Sequence, residues 1–189
     1  MQFSKKIILA SKSPRRQELL KLMGYEFEVV LKEVDESYPV SLNPEEVALY
    51  IAEKKADAYE HSIHGEIVIT ADTLVCVDGK ILGKPTDKAE AIAMIRTLSG
   101  RSHQVITGVA ILHAHELISF ADTTLVYFAE LSDEEIEFYI DTYQPYDKAG
   151  AYGIQEWIGV NKIERIEGSY TNVMGLPTEK LYRYLQLIH

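Results

Sequence analysis

The run Glu66-Ile67-Val68-Ile69-Thr70-Ala71-Asp72-Thr73-Leu74-Val75-Cys76-Val77 is so apolar and β-branched that it reads only as a buried strand. It also carries a carboxylate. An unpaired charge there is costly, so Asp72 requires compensation. The ammonium of Lys54 or Lys84, a divalent metal, or backbone donors where the strand is interrupted at Ala71-Asp72 would each supply it. Cys76 lies in the same run and reads as a small buried residue. As the single cysteine, it excludes an intrachain disulfide and a cysteine-based zinc site.

The flanking sequence supplies partners for that strand. Asp78-Gly79 is a hairpin turn, and Ile81-Leu82 returns as a short strand ending at Gly83-Lys84-Pro85. Upstream, Asn43-Pro44-Glu45-Glu46 opens a helix expected to reach about Glu60. Val47, Leu49, Ile51, Ala52, Ala56 and Tyr59 would face the core, with Lys54 and Lys55 late in the helix. Asp87 with Glu90, and Ser132 with Glu135, are capping boxes for helices closing at Ser99-Gly100 and near Tyr143-Gln144-Pro145. Strands are expected over 103–112, 118–128 and 160–166, a loop-rich stretch over 147–155, and a terminal helix from Pro177. No linker or repeat divides the 189 residues, so the expectation is one α/β (α+β) domain, 1–189, with a mixed sheet carrying antiparallel pairs and flanking helices.

Ile7-Ile8-Leu9-Ala10-Ser11-Lys12-Ser13-Pro14-Arg15-Arg16 is a short strand running into a helix start, with Gly24 as the stop. Two readings fit this decamer alone. It is a capped helix with solvated arginines, or an anion site where helix N–H groups, the Ser11 and Ser13 hydroxyls and the guanidinium groups meet phosphate or carboxylate. Net charge helps to choose the anion. With 19 basic and 29 acidic residues, net −10, the surface is unsuited to a nucleic-acid polymer, whereas one basic pocket for a small polyanion remains compatible. The N-terminal apolar run is too short for a signal-peptide core and nothing approaches a membrane span, so a cytoplasmic location without a membrane partner is the default expectation.

Familiar machinery is missing. Gly79-Lys80-Ile81-Leu82-Gly83-Lys84-Pro85 has the wrong glycine spacing for a P-loop and Pro85 in place of its hydroxyl residue. There is no G-x-G-x-x-G, G-x-S-x-G or H-E-x-x-H, and His113 and His115 read as solvated turn residues.

The ordered set Leu9-Ala10-Ser11-Lys12-Ser13-Pro14-Arg15-Arg16, Val34-Asp35-Glu36, Glu53-Lys54, Ala71-Asp72-Thr73, Gly83-Lys84-Pro85 and Ser99-Gly100 resembles the Maf (septum formation inhibitor) family of nucleotide pyrophosphatases. Asp147-Lys148-Ala149-Gly150-Ala151-Tyr152-Gly153-Ile154-Gln155, Gly168-Ser169-Tyr170 and Val173-Met174-Gly175-Leu176-Pro177 extend the similarity over nearly the whole chain. The resemblance implies hydrolysis of a nucleoside triphosphate to its monophosphate and pyrophosphate, assisted by Mg or Mn, on a twisted mixed sheet with two lobes around a central cleft, Maf/ITPase-like. It further implies Asp72 as proton acceptor and Arg15, Thr73 and Gln155 as base-selecting positions. The Lys148–Gln155 sequence looks like the dTTP/UTP branch, and a homodimer is in keeping with the family.

Chemistry gives each residue a task. Water attack at the α-phosphorus requires neutralisation of a polyanion, and Ser11, Arg16, Lys54 and Lys84 are the expected phosphate cradle, with Lys12 solvated. Asp72 serves as general base, metal ligand or both, and Glu36 is the natural second ligand for a hard cation. House-cleaning of noncanonical pyrimidine nucleotides, with a link to division arrest, would be the purpose. The rivals are a 7-methyl-GTP pyrophosphatase and a non-catalytic nucleotide-binding regulator of septum formation.

Overall fold

A computed structural model describes residues 5–188. The chain divides into two compact units. The first comprises residues 1–72, 107–122 and 175–189, and the second 73–106 and 123–174. Among the described residues seven strands run in the order β2 (Phe27–Val29), β1 (Ile7–Leu9), β3 (Ile67–Val77), β5 (Ser102–His113), β6 (Glu116–Phe128) and β7 (Ile163–Glu167), with β4 (Lys80–Leu82) paired to β3.

In the first unit, β1 (Ile7–Leu9) pairs in parallel with β2 (Phe27–Val29) on one side and β3 (Ile67–Val77) on the other. Leu9 lies opposite Ile69, and Ala10 N–H donates to the Ile69 carbonyl at 2.9 Å. Register alone therefore delivers the chain leaving β1 to the level of Thr70 and Ala71. Helix α1 (Pro14–Leu22) follows directly, and α2 (Pro44–Asp57) starts with the expected Asn43–Glu46 capping box. Helix α2 buries Val47, Ala48, Ile51, Ala52 and Ala56, an i, i+3/i+4 stripe in which each large side chain contributes roughly 1.5–3 kcal/mol by burial. Ala48 occupies the core-facing position expected of Leu49, which is only half-buried.

The close packing of α2 has one identifiable cause. A Cβ on Gly108 of β5 (Ser102–His113) would stand 2.3 Å from the Ala48 carbonyl oxygen, so only glycine lets helix and strand approach this far. The buried Thr70 hydroxyl then donates to the Ala52 carbonyl at 2.6 Å, tying α2 to β3.

In the second unit, β4 (Lys80–Leu82) returns antiparallel on the end of β3, and β6 (Glu116–Phe128) pairs antiparallel with β7 (Ile163–Glu167). Helices α3 (Lys88–Leu98) and α4 (Asp133–Tyr143) share a core that includes Val75, Leu98, Phe128, Tyr139 and Ile158. His103 is buried in it, edge-on to Phe128 and Tyr152, and its Nε2 is 2.6 Å from the Tyr152 hydroxyl. Burial pushes the imidazole down to about 4 and pushes the Tyr152 phenol up.

Several local expectations change. Strand β3 is continuous through Ala71-Asp72, because neighbouring strands and α2 support it and no kink is needed to accommodate Asp72. Helix α2 ends at Asp57 rather than near Glu60. Glu90 turns its carboxylate to the Thr86 N–H and hydroxyl, both at 2.7 Å, so Asp87 caps α3 without the reciprocal half of the box. Residues 157–162 form α5 (Trp157–Lys162), so β7 starts at Ile163 rather than at the expected Val160. Strand β2 and the short α6 (Tyr170–Val173) were not anticipated from the pattern, and α7 (Thr178–Leu185) begins just after Pro177. Cys76 is buried as expected, and burial raises its thiol. Among the described residues no helix is long and apolar enough to cross a membrane.

Candidate active site

The Ser11–Arg16 turn begins the site in the first unit. Ser13 caps α1, accepting the Arg16 N–H at 3.4 Å, and its own N–H donates to the buried Ser11 hydroxyl at 3.2 Å. The Arg16 side chain then turns inward. Its Nη1 donates to the Ala71 carbonyl at 2.9 Å and the Ser11 hydroxyl at 3.3 Å, while Nε donates to the Gly175 carbonyl at 2.8 Å. One guanidinium thus joins the exit of β1, the middle of β3 and the chain before α7. Burial lowers its pKa from the ordinary arginine value and the nearby Asp72 charge raises it, so a fixed cation sits beside the carboxylate. Arg15 is half-buried in the same turn, and Lys12 is exposed as expected.

The cation on Asp72 is Lys55. Its Nζ lies 2.8 Å from Asp72 Oδ1 and 2.8 Å from Glu36 Oε1, so one ammonium bridges two acids expected to work together. The Lys55 and Asp72 side chains retain only 17% and 14% exposure, whereas Glu36 is half exposed. Glu36 borders an open groove of about 760 Å³ with Lys12, Lys32, Val34 and Asp35.

Lys54 pairs elsewhere, which corrects its expected place as partner of Asp72. It points instead to Asp35 Oδ2 and the Ser37 carbonyl, both at 3.2 Å, and lies over the exposed Tyr50 ring. Asp35 is itself held by the Ser37 hydroxyl and N–H and then by Lys54, which together bring its carboxyl down to about 2. Helical phase explains the difference. Lys55 follows Ala48, Ile51 and Ala52 at i+7, i+4 and i+3 on the buried stripe, while Lys54 follows the exposed Tyr50 at i+4. That phase was the available signal for Lys55. The Thr70–Ala52 bond one turn earlier sets the helix at the height where Lys55 meets Asp72.

Glu36 and Asp72 also offer what a divalent cation requires. Both supply hard oxygen donors, and two carboxylates suit Mg or Mn when water and phosphate complete the coordination shell. Among the described residues no group of three His, Cys, Asp or Glu side chains forms an all-protein cage.

In the second unit, Thr73 follows Asp72 on β3 and is half-buried, while Lys84 and Gln155 are exposed. Gly150 N–H donates to the Gly83 carbonyl at 3.0 Å, so the segments bearing Lys84 and Gln155 are directly joined. Gln155 lies in a tight turn closed by Glu156 N–H donating to the Gly153 carbonyl at 3.1 Å.

Residues 6–188 match the family described as Maf-like protein. A dTTP/UTP pyrophosphatase of Porphyromonas gingivalis is 55% identical over 185 residues, covering 96% of this chain and 93% of that protein. One of Bacteroides fragilis is 55% identical over 183 residues, covering 96% and 95%. A solved structure described as a HAM1 protein from Coxiella burnetii covers 97% of this chain and 99% of its own, with a TM-score of 0.53 at 16% identity, a likeness of fold alone.

Proposed function

The chain belongs to the Maf family, and on that premise we propose that it hydrolyses dTTP and UTP to the monophosphate and pyrophosphate. One geometric observation carries the reading: Glu36 and Asp72 share the Lys55 ammonium next to the Arg16 guanidinium, so acid, cation and phosphate-binding turn occur together in one unit. The names of near-full-length relatives supply the substrate class.

In the proposed reaction a water oxygen bonds to the α-phosphorus as its proton passes to Asp72. The α–β bridging oxygen departs with pyrophosphate. Lys55 replaces Lys54 beside Ser11 and Arg16, countering charge that accumulates on the phosphates, and Lys84 keeps the phosphate-binding role expected of it. A Mg or Mn ion held by Glu36 and Asp72 would add charge neutralisation there. Arg15, Thr73 and Gln155 are assigned to the base, since an amide presents the donor and acceptor that the O4 and N3–H edge of uracil or thymine requires. Removal of noncanonical pyrimidine triphosphates is the purpose this chemistry fits.

A substrate profile in ¹⁸O-labelled water tests the assignment. UTP and dTTP should release pyrophosphate faster than CTP or 7-methyl-GTP, with the label in the monophosphate. Label in pyrophosphate would exclude attack at the α-phosphorus. Preference for 7-methyl-GTP would move the chain to the rival branch, and binding without turnover would favour the regulator.

A further inference from the structure

The turn that carries Gln155 is fastened from beneath by groups to which no role has been given. Tyr139, fully buried on α4, receives the Gly153 N–H on its hydroxyl at 3.0 Å and donates that hydroxyl to Glu156 Oε2. One oxygen atom therefore links both ends of the turn. Lys148 holds the other carboxylate oxygen of Glu156 at 3.1 Å and Asp147 Oδ1 at 2.7 Å, with its side chain only 10% exposed. A Cβ at position 153 would meet the Glu156 carboxylate at 2.8 Å, so the carboxylate packs flat against the turn's backbone.

Simple packing does not account for these groups. Tyr139 already fills its place with the ring, which stacks on Tyr143, and phenylalanine would fill the same space. Burying a hydroxyl, a carboxylate and an ammonium carries desolvation costs that an apolar set avoids, and such networks select one arrangement more than they add stability. What they select here is the backbone on either side of an exposed amide. With Ile154 buried and Glu156 anchored, the backbone that carries Gln155 is fixed, and a fixed backbone restricts the rotamers its side chain can adopt.

We propose that Tyr139, Glu156 and Lys148 are positioning residues that orient the Gln155 amide and thereby set discrimination between uracil and cytosine. The proposal rests on the assignment of Gln155 to the base. Uracil and cytosine place opposite donor and acceptor groups at N3 and position 4, so an amide held in one orientation distinguishes them and a loosely held one turns to satisfy both.

The test compares kcat and KM for UTP and CTP in Tyr139→Phe, Glu156→Ala, Glu156→Gln and Gln155→Ala. Tyr139→Phe and Glu156→Ala should lower the UTP-over-CTP ratio of kcat/KM by about tenfold, mainly through a higher KM for UTP, with kcat changed far less. Glu156→Gln, which still accepts from Tyr139, should restore much of the ratio. An unchanged ratio in Tyr139→Phe and Glu156→Ala, with a lowered one in Gln155→Ala, overturns the positioning role and leaves base reading intact. A wild-type ratio near one, or an unchanged ratio in Gln155→Ala, overturns the base assignment and the proposal with it. Should Glu156→Ala fail to fold, Tyr139→Phe removes a single oxygen atom and decides alone.

Discussion

Lys55 Nζ donates to Asp72 Oδ1 at 2.8 Å, tying the last turns of α2 to the one carboxylate in β3. The adjacent Lys54 ends on the exposed Asp35. Two neighbouring lysines therefore have different work, and substitution should separate them. Lys55→Met is expected to lower kcat/KM for UTP by about 100-fold or more, because it removes a cation from a partly buried charge cluster. Lys54→Met is expected to change it less than about threefold, as for an exposed pair. Steady-state pyrophosphate release measures both, and equal losses would contradict the division of roles.

Gly108 provides a stability prediction that tests how α2 is seated. Gly108→Ala places a carbon 2.3 Å from the Ala48 carbonyl, so α2 must move or β5 must bend. A loss of about 2–4 kcal/mol in urea unfolding is expected. Since α2 also carries Lys55, activity measured well below the melting temperature should fall as the helix shifts.

His103 predicts a pH dependence. Its pKa in the fold, about 4, lies below the unfolded value of about 6.5, so the unfolded chain takes up the proton first as pH falls. Stability from the neutral imidazole is complete above about pH 6.5 and is lost progressively towards pH 4. Between pH 7.5 and 4.5 the loss should be about 2–3 kcal/mol. Urea titrations of wild type and His103→Gln should therefore diverge in this window, and parallel curves would remove His103 as the cause.

Much of this arrangement was legible in the residues. The side chains of the capping residues Asn43, Ser132 and Asp87 each accept a backbone N–H three residues on, and the turn at Asp78-Gly79 and the helix start at Pro14 are equally local, so a short pattern locates them. In the first unit Arg16 meets Ser11 and the Ala71 carbonyl, and Lys55 bridges Glu36 and Asp72. Lys55 was missed because adjacent lysines look alike until each is set on the helical stripe, and taking Leu49 in place of Ala48 as core-facing blurred the phase of that stripe. Tyr139 and Glu156 were hidden for a different reason. Their partners lie 14 and 17 residues apart along the chain, and a tyrosine in a helical pattern carries no mark that its hydroxyl is needed elsewhere. Helix α5 escaped notice because it is short, and Ile158 and Val160 alternate as strand residues do.

Asp72→Asn preserves the shape of the side chain while removing its capacity to take a proton from water. UTP turnover should fall by about 1,000-fold or more while the nucleotide dissociation constant, measured by calorimetry, stays within about tenfold of wild type. Turnover within about tenfold of wild type would remove Asp72 from the chemistry.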